Sequence, residues 1–351
     1  MSQKVTLQDI ADELGVSRNT VSKAINNTGI LAESTREKVL QKAIEMGYKQ
    51  FSYANSISDI HNPISAIAQQ KPAGEIALFN GGILTNSHFA STMLDKFQHE
   101  ISLLGYSLSM HRIDQSFISN LTLPISLNLA NTKAIVCIEM FDQAYCEMIC
   151  SLDLPILMID APVSSYWQPL SADILLMDNT SNIFSIVRDL KKRKITKIGF
   201  VGQVTHCRSF FERFMAFREA MFLNGLTINN EFCLTEIHEH SDSYREYLTK
   251  ALENLSELPE LFICANDFVA MDVLASLKTM NIECPRDIKL IGFDDSMESK
   301  IITPALSTCH IHSQVMGYSA ANLIISRIEQ PELNYRIVYT ETDLIYRESS
   351  N

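Results

Sequence analysis

Near the N-terminus, one short segment carries side chains suited to bind nucleic acid. Outside its apolar stripe lie Arg18, Asn19, Ser22 and Lys23. Arginine and lysine can hydrogen-bond to guanine edges, and asparagine to adenine edges, in the major groove of DNA. No acidic residue occurs between Val16 and Ala32, although the whole chain has a formal net charge of −12. The segment is therefore predicted to contact a polyanion such as DNA.

Hydroxyl groups on the same segment can position it on a phosphate backbone without selecting a base sequence. Ser17, Thr20 and Ser22 provide them, and hydroxyl contacts to phosphate oxygens are common in protein–DNA complexes. A different interpretation is a solvated helical hairpin that packs against a larger domain. The residues of this segment, taken alone, leave both interpretations open.

Further along the chain, polar side chains follow short apolar runs typical of strands. Asn80 follows IALF, Asp160 follows ILMI, Asn266 follows LFIC and Asp294 follows KLIGF. Ligands of open α/β sheets bind beyond the carboxyl ends of the strands. Carboxylate and amide groups that converge there suit a polyhydroxylated ligand, because each can make two hydrogen bonds to neighbouring hydroxyls. Phe79 offers an aromatic face for a sugar ring or a base. Any one polar residue could instead cap a helix or brace a turn.

Two short helices must hold the basic segment in place. The run LQDIADEL (7–14) has apolar residues at i, i+3, i+4 and i+7, the spacing of one helix face. Thr6 and Asp9 have the spacing of a capping box, and Gly15 is a typical helix terminator. Ser17 can cap a second helix. Two short helices joined by such a turn predict a helix-turn-helix, and a third helix is expected over 34–48.

The composition changes twice after these helices. Residues 50–74 have little periodicity and two prolines, which indicates a linker. From Glu75 onward, short apolar runs alternate with helical patterns, which predicts βαβ units and parallel sheets covered by helices. The strands are too numerous for one sheet of ordinary size, so two α/β lobes are expected.

The runs VTLQDIADELGVSRNTVSKAIN (5–26) and STREKVLQKAIEMGY (34–48) resemble the DNA-binding headpiece of the LacI/GalR family of bacterial regulators. The resemblance implies that Arg18 and Asn19 read bases and that Lys23 adds a contact. It implies contacts to the DNA backbone from Thr6, Ser17, Thr20, Ser22 and Asn26. It also implies that Ala54 and Ile57 belong to a hinge helix whose apolar residue enters the minor groove. A flexible tether is the alternative for that stretch.

Three later motifs resemble the core of the same family: CANDFVAMDVL (264–274), KLIGFDDS (289–296) and TPALSTCHIHSQVMG (303–317). The resemblance implies an N-terminal all-α helix-turn-helix headpiece plus an α/β periplasmic-binding-protein-like core of two Rossmann-like lobes with parallel sheets. It implies that an effector in the cleft contacts Arg213. The expected boundaries are 1–49 for the headpiece, 50–74 for the hinge and linker, and 75–351 for the core. The first lobe is expected to comprise 75–175 and 305–332, and the second 176–304 and 333–351.

The sequence also argues against several classes of protein. No apolar run approaches the roughly 20 residues needed to span a bilayer, and MSQKVTLQDI lacks an apolar signal core. A cytoplasmic protein is therefore expected, and the resemblance implies a bacterial, nucleoid-associated one. The eight cysteines are scattered without a CxxC pair, so we expect neither disulfides nor a metal site. No phosphate-binding loop or GxSxG motif occurs, which argues against an enzyme and against a cofactor.

The resemblance implies a transcriptional regulator, most simply a repressor. We expect a homodimer on a near-palindromic double-stranded operator, because two headpieces must lie about one helical turn apart. No leucine heptads follow Arg347, which favours a dimer over a tetramer. A small effector, a carbohydrate or its phosphate, is expected to change operator affinity by linkage. A nucleobase suits the same polar groups, and a solute-binding or sensing protein without a transcriptional role is the alternative function.

Overall fold

The computed structural model describes residues 5–25, 35–36, 38–39, 42–43, 46, 73–82, 88–236 and 244–351. The chain divides into two units, Met1–Lys71 and Pro72–Asn351. The predicted residues Asn26, Ala54 and Ile57 lie outside the described residues. None of the described helices has the length and apolar character needed to cross a membrane.

In the N-terminal unit, α1 (Leu7–Leu14) and α2 (Arg18–Ile25) form the predicted helix-turn-helix. The Thr6 hydroxyl accepts a hydrogen bond from the Asp9 N–H at 3.3 Å, and the Asp9 carboxylate accepts the Thr6 N–H at 2.7 Å. Gly15 ends α1 with φ 64°, a left-handed conformation that favours glycine. Among the described residues of this unit, the buried apolar side chains are Ile10, Ala11, Val21, Ala24, Val39 and Ala43.

The larger unit alternates strands and helices. Its strands are β1 (Gly74–Asn80), β2 (Tyr106–Arg112), β3 (Thr132–Ile138), β4 (Ile156–Ile159), β5 (Asp173–Met177), β6 (Ile198–Val201), β7 (Cys233–Leu234), β8 (Leu261–Cys264), β9 (Lys289–Ile291), β10 (Thr308–Ile311), β11 (Ile337–Thr340) and β12 (Thr342–Ile345). Its helices are α3 (His88–Leu103), α4 (Gln115–Asn120), α5 (Gln143–Cys150), α6 (Ser181–Lys192), α7 (Arg208–Leu223), α8 (Tyr244–Glu253), α9 (Asp267–Thr279), α10 (Met297–Ile301) and α11 (Ser313–Glu329).

Two parallel sheets define the two lobes. The first has the strand order β11-β5-β4-β3-β1-β2, and the second has the order β7-β6-β8-β9. Strands β4 and β5 are buried along their whole length, as expected where helices cover both faces of a parallel sheet. The antiparallel pair β10-β12 lies beside the second sheet, because Ser307 and His310 bridge to Ile291 and Asp294.

The chain crosses between the lobes after β5, between β10 and α11, and between β11 and β12. The lobe boundaries expected from the sequence are wrong at two of these places. Strand β10 belongs with the second lobe, whereas β11 pairs with β5 in the first, with Ile337 opposite Ile174. Four-residue strands such as TCHI and IVYT carry no local signal for the sheet they join, since pairing with distant residues decides it.

A buried carboxylate holds the late part of the chain to the first lobe. Asp173, at the start of β5, accepts hydrogen bonds from the Arg327 guanidinium at 3.0 Å and from the Arg336 N–H at 2.7 Å. Burial alone would raise the pKa of Asp173, but the hydrogen bonds from both arginines lower it below its ordinary value. The chain before β11 is therefore anchored by a charge-assisted contact in the first lobe.

Candidate functional site

The outer face of α2 presents the residues predicted to bind DNA. Arg18 and Asn19 are exposed, while Ser22 and Lys23 are partly exposed. The buried side of the helix is formed by Val21 and Ala24, so packing fixes which face is outward. The accessible face therefore carries one guanidinium and one amide at adjacent positions.

The predicted phosphate-contacting hydroxyls also shape the turn before α2. The Ser17 hydroxyl oxygen accepts the Thr20 N–H at 3.0 Å and lies 2.8 Å from the Thr20 hydroxyl oxygen. Thr6, at the start of α1, is exposed, and its hydroxyl donates to Asp9 at 2.7 Å. Of Ser17 and Thr20, one hydroxyl keeps its O–H donor for a phosphate oxygen, whereas the Thr6 hydroxyl would have to turn from Asp9 to donate to one. The DNA contacts of these residues stay a prediction.

In the larger unit, a cavity of about 370 Å³ lies where strands of both sheets end. Its polar lining consists of Glu139, Asp160, His206, Ser209, Arg213, Asn266, Asp294 and Ser296. Its apolar lining includes Ile138, Phe141, Ile159, Met177, Phe210 and Phe268. The cavity therefore has the position that the strand-end rule predicts for a ligand.

Three carboxylates enter the cavity from strained turns. Glu139 directly follows β3, Asp160 directly follows β4, and Asp294 follows β9 by three residues; their φ values are 54°, 62° and 116°. Left-handed backbone at a residue other than glycine costs of order 1–3 kcal/mol and is concentrated at functional sites. The Asp160 carboxylate is also fixed by the N–H groups of Ala161 at 2.7 Å and Ser209 at 3.2 Å.

Arg213 is held in place on α7 by contacts on several sides. Its Nε donates to the Asn179 side-chain oxygen at 2.9 Å, and a terminal nitrogen donates to the Ala265 carbonyl at 2.6 Å. The guanidinium carbon lies 3.5 Å from the centroid of the Phe293 ring. The nearest guanidinium nitrogen lies 3.6 Å from the Asp294 carboxylate. A stacked and hydrogen-bonded guanidinium is rigid, so it presents a fixed donor to the cavity.

Burial is the main cause of the raised pKa values of two cavity carboxylates, Asp294 and Asp160. It raises the pKa of Asp294 to about 8 against the opposing effect of Arg213, and the charges of Asp267, Asp160 and Glu139 add to the rise. Burial also raises the pKa of Asp160 above its ordinary value, although backbone hydrogen bonds and Arg213 oppose it. At neutral pH, Asp294 therefore holds a proton in the empty cavity for much of the time.

Asn266 caps α9 as well as lining the cavity. Its side-chain oxygen accepts the Val269 N–H at 2.9 Å. The capping role and the ligand role that the sequence left as alternatives are therefore compatible, because the amide nitrogen is not the capping atom. Asp160, Arg213, Asn266 and Asp294 all line one cavity, and their contact with an effector stays a prediction.

Phe79 and Asn80 require a correction. Phe79 is fully buried in a core cluster, where its ring meets the edge of His111 at 5.7 Å. Asn80 braces the next turn, since its amide donates to the Gly82 carbonyl at 2.9 Å and accepts the Gly82 N–H at 3.2 Å. Neither lines the cavity. A strand end locates a residue near a pocket, but alternation and turn geometry decide where its side chain points.

Several lining residues were missed from the sequence. Glu139 follows β3 as Asp160 follows β4, so the same strand-end rule could have found it. Phe141, His206 and Phe210 form an aromatic group, with ring centroids 5.0 Å and 5.2 Å apart. Burial lowers the pKa of His206, so its ring is neutral at pH 7. No periodicity marks these rings, because loops and a helix from different parts of the chain bring them together.

Glu212, the neighbour of Arg213 on α7, was also missed. Its carboxylate accepts hydrogen bonds from the hydroxyls of Tyr166 at 2.7 Å and Tyr339 at 2.8 Å, and from Arg208 at 2.9 Å. Its other oxygen accepts the Asn179 amide at 2.8 Å. The same Asn179 holds Arg213, so one amide connects the cavity to a polar network between the lobes.

Two sequence families match separate parts of the chain. Residues 6–50 match the model described as bacterial regulatory proteins, lacI family. Residues 187–350 match a periplasmic binding protein-like domain. A helix-turn-helix headpiece joined to such a core defines a class of DNA-binding transcriptional regulators, not of enzymes.

Relatives align with the chain over nearly its whole length. The chain is 27% identical over 351 residues to the transcriptional regulator GalR of Lacticaseibacillus casei, covering 98% of this chain and 99% of that protein. It is 25% identical over 353 residues to the transcriptional repressor PurR of Haemophilus influenzae, covering 98% of each. The chain therefore combines a LacI-family headpiece with a periplasmic-binding-protein-like domain and is a DNA-binding transcriptional regulator.

Solved structures share the fold along nearly the whole chain. A complex of the transcriptional regulator CelR with cellobiose superposes with a TM-score of 0.66 at 18% identity, covering 99% of this chain and 100% of that one. A lac repressor dimer bound to operator and the anti-inducer ONPF has a TM-score of 0.63 at 18% identity, covering 99% of each chain. At this level of identity the likeness establishes the fold.

Proposed function

We propose that the protein is a homodimeric repressor whose affinity for a near-palindromic operator is changed by a small carbohydrate bound in the cavity. In this proposal the α2 helices of two copies enter major-groove faces about one helical turn apart. Ala54 and Ile57 form the hinge that contacts the minor groove between them. The protein acts in the bacterial cytoplasm, at the nucleoid.

The DNA-binding part of the proposal is supported by the outer face of α2. Arg18 and Asn19 are exposed at the start of the helix, where a recognition helix contacts base edges. Lys23 lies further along the same helix, and Asn26 follows the helix in sequence. Thr6, Ser17, Thr20 and Ser22 supply hydroxyls for the DNA backbone, which would fix the register of the helix.

The carbohydrate is supported by the chemistry of the cavity. Carboxylates, an amide and a guanidinium line a space of about 370 Å³, which lies in the range of small-molecule sites. The same cavity is also lined by the apolar rings of Phe141, Phe210 and Phe268. Of the structural neighbours, the CelR complex contains a disaccharide, cellobiose.

One observation carries the proposal that ligand binding changes DNA affinity. The Asn179 amide accepts from Arg213, which lines the cavity, and donates to Glu212, which accepts from Tyr339 of the first sheet. A ligand that moves Arg213 therefore perturbs a hydrogen-bonded path between the lobes. A different angle between the lobes in each copy would change the spacing of the two headpieces, and operator affinity would change with it.

The proposal is tested by selecting sites from a random duplex library with the purified full-length protein. We expect a near-palindrome with two half-sites at fixed spacing. Half-sites without fixed spacing would contradict the dimeric arrangement and the hinge role of Ala54 and Ile57. Recovery of no sequence preference would contradict the role of α2.

The effector role is tested on the selected operator by titrating neutral and modified monosaccharides and disaccharides. A ligand of the cavity should change the operator dissociation constant several-fold. Replacing the cavity residue Asp294→Asn should reduce that change, whereas Asp272→Asn, at a surface ion pair with Arg245, should preserve it. A response that is equal in both variants would place the effector elsewhere.

A further inference from the structure

Two aromatic side chains from different lobes meet at the outer side of the cavity. Phe141 follows β3 in the first lobe and His206 follows β6 in the second, and their ring centroids lie 5.0 Å apart at an interplanar angle of 67°. Both residues line the cavity. His206 is exposed, whereas Ser209 and Arg213 further along the chain are buried, so the contact lies toward the solvent. Phe141 and His206 form the interlobe ring pair.

Each ring is anchored in its own lobe. Phe141 directly precedes Asp142, whose carboxylate accepts the Tyr145 N–H at 2.8 Å and so caps α5. His206 precedes α7, and its ring packs on the Phe210 ring of that helix with centroids 5.2 Å apart. The separation of the two rings therefore depends on the angle between the lobes.

The interlobe ring pair lies away from two of the places where the chain crosses between the lobes. These crossings follow β5 and β11, which are neighbours at one side of the first sheet. The bond between Tyr339 and Glu212 lies at that side, because Tyr339 is on β11. Phe141 follows β3, which is two strands beyond β5, or about 10 Å at the ordinary spacing of strands.

The third crossing leads into α11, on the other face of the sheet. Met316 and Ala320 of α11 pack in one core cluster with Ala134 and Val136 of β3. Side chains of α5 pack in a different cluster, with the β3 residues that point the opposite way. A rotation of the lobes about the crossings therefore separates Phe141 from His206 more than it separates Tyr339 from Glu212.

The strength of the contact suits a junction that opens and closes. A favourable contact between two aromatic rings changes an equilibrium by about two- to tenfold. This is enough to favour closed lobes, yet small enough for the lobes to separate at ordinary temperature. The Glu212 contacts beside the crossings persist when the rings part, so the lobes stay connected there.

We infer that the interlobe ring pair holds the lobes in the closed arrangement and that its rings must separate before a ligand enters or leaves the cavity. Phe141 and His206 are positioning residues, because they act through the angle between the lobes. The link from that angle to DNA rests on the proposed function. The ring contact itself is independent of which ligand the cavity binds.

Cysteine modification tests the inference on the full-length protein without a ligand. Cys207 is buried in the cavity wall beside His206, and Cys264 is buried in a core cluster of the second lobe. N-ethylmaleimide is the reagent, and mass spectrometry gives the rate at each thiol. We expect Phe141→Ala to raise the rate at Cys207 about two- to tenfold and to leave Cys264 unchanged. An unchanged rate at Cys207, or an equal rise at both thiols, overturns the inference.

Two further variants separate the ring contact from a general loss of apolar surface. Phe141→Tyr keeps the ring and should be labelled at Cys207 at the wild-type rate. Phe222→Ala is the matched control, because it removes an exposed ring near the end of α7 that does not line the cavity. Labelling of Cys207 that is equally fast in Phe141→Tyr and Phe141→Ala contradicts a role of the ring contact.

A metal bridge tests the same geometry in the opposite direction. Phe141→His sets a second imidazole opposite His206, and imidazoles are ordinary ligands of Zn²⁺. We expect zinc to bind this variant roughly tenfold or more tightly than the wild type in calorimetry, and to slow the labelling of Cys207. Adding His206→Ala to the variant should abolish both effects. Zinc that binds the single variant no more tightly than the wild type overturns the placement of the two rings.

Operator binding distinguishes this inference from the proposed function. Zinc should change the operator dissociation constant of Phe141→His several-fold and leave that of the wild type unchanged. Zinc binding and slower Cys207 labelling without a change in operator affinity support the ring pair and contradict the coupling of the lobes to DNA. A change in operator affinity without slower labelling supports that coupling and overturns the role of the ring pair in closure.

Discussion

The hydroxyl of Tyr339 donates a hydrogen bond to the carboxylate of Glu212 at 2.8 Å. Tyr339 lies on β11 in the first sheet, whereas Glu212 lies on α7 of the second lobe. Glu212 is buried, so the bond joins the lobes in a medium where charge-assisted hydrogen bonds are strong.

Removing this hydroxyl should weaken the junction between the lobes. We expect Tyr339→Phe to lower the free energy of unfolding of the core by about 1–2 kcal/mol. The hydroxyl loses its hydrogen bond to Glu212 and the one that it accepts from Arg208 at 3.2 Å, while Glu212 keeps Arg208 and Tyr166. Urea unfolding measures the change. Tyr335→Phe, on a tyrosine whose ring packs on Arg327, is the control, and an equal effect there would argue against a specific role of the Glu212 contact.

The pKa of Asp294 predicts a definite dependence of stability on pH. The folded pKa is about 8 and the ordinary value is 3.8, so between these values the unfolded chain binds fewer protons than the folded one. Asp294 therefore destabilises the fold increasingly as pH rises from about 4 to 8, by at most about 1.4 kcal/mol per pH unit. Arg213 opposes this effect, whereas Asp267, Asp160 and Glu139 increase it.

The difference between the wild type and Asp294→Asn isolates this effect. The variant should gain stability relative to the wild type as pH rises across that window, measured by urea unfolding at successive pH values. Asn322→Ala, at an exposed position of α11, removes no titratable group and should show a difference that does not change with pH. A wild-type advantage that grows with pH would mean that Asp294 ionises readily in the folded protein.

Substitution of Arg18 should affect the choice of DNA sequence. We expect Arg18→Ala to reduce operator affinity by about 1–3 kcal/mol and to relax the preference at one base pair in each half-site, because a bidentate contact to a base edge is worth that much. Site selection with the variant measures it. Arg188→Ala, at an exposed arginine of α6, is the control for loss of charge. Uniform weakening across all sequences would instead assign Arg18 to a phosphate.

Gly317 permits the close packing of α11 on α3. A Cβ at this position would lie 2.3 Å from the backbone oxygen of Met93 and 2.9 Å from the Lys96 Cβ. Gly317→Ala should therefore destabilise the core by about 1–3 kcal/mol through overpacking, although alanine in a helix is otherwise favoured by about 0.5–1 kcal/mol. Urea unfolding measures the change in the free energy of unfolding and shows which of the two effects is larger. Asn322→Ala, exposed on the same helix, should change stability by less than about 0.5 kcal/mol.

Local patterns were sufficient for the headpiece. The capping of α1 by Thr6 and Asp9, the left-handed Gly15 and the buried faces of α1 and α2 are interactions between residues a few positions apart. Such interactions are encoded in a short stretch of sequence, so the helices could be predicted from it. Strand–helix alternation likewise predicted two parallel sheets, because a parallel connection requires a crossover helix.

Much of the cavity was also accessible to sequence reasoning. Asp160, Asn266 and Asp294 come from the strand-end rule and Arg213 from the resemblance, and all four line it. Glu139 obeys the same rule and was overlooked. Phe79 and Asn80 obey it too but point elsewhere, because the alternation of β1 buries one and the turn at Gly82 engages the other.

The remaining features depend on residues far apart in the chain. Which sheet receives β10 or β11 is decided by backbone pairing across the fold, such as that of Ile337 with Ile174. The junction of Glu212 with Tyr166 and Tyr339 joins residues separated by 46 and 127 positions. The grouping of Glu139, Asp160 and Asp294 around one cavity likewise arises only when three separate turns meet. The sequence by itself determined the helices and strands and the polar residues that follow the strands, since capping and periodicity act between residues close in the chain. The tertiary structure decided which strand ends line the same cavity, because interactions between neighbouring residues do not fix the distance between residues far apart in the chain.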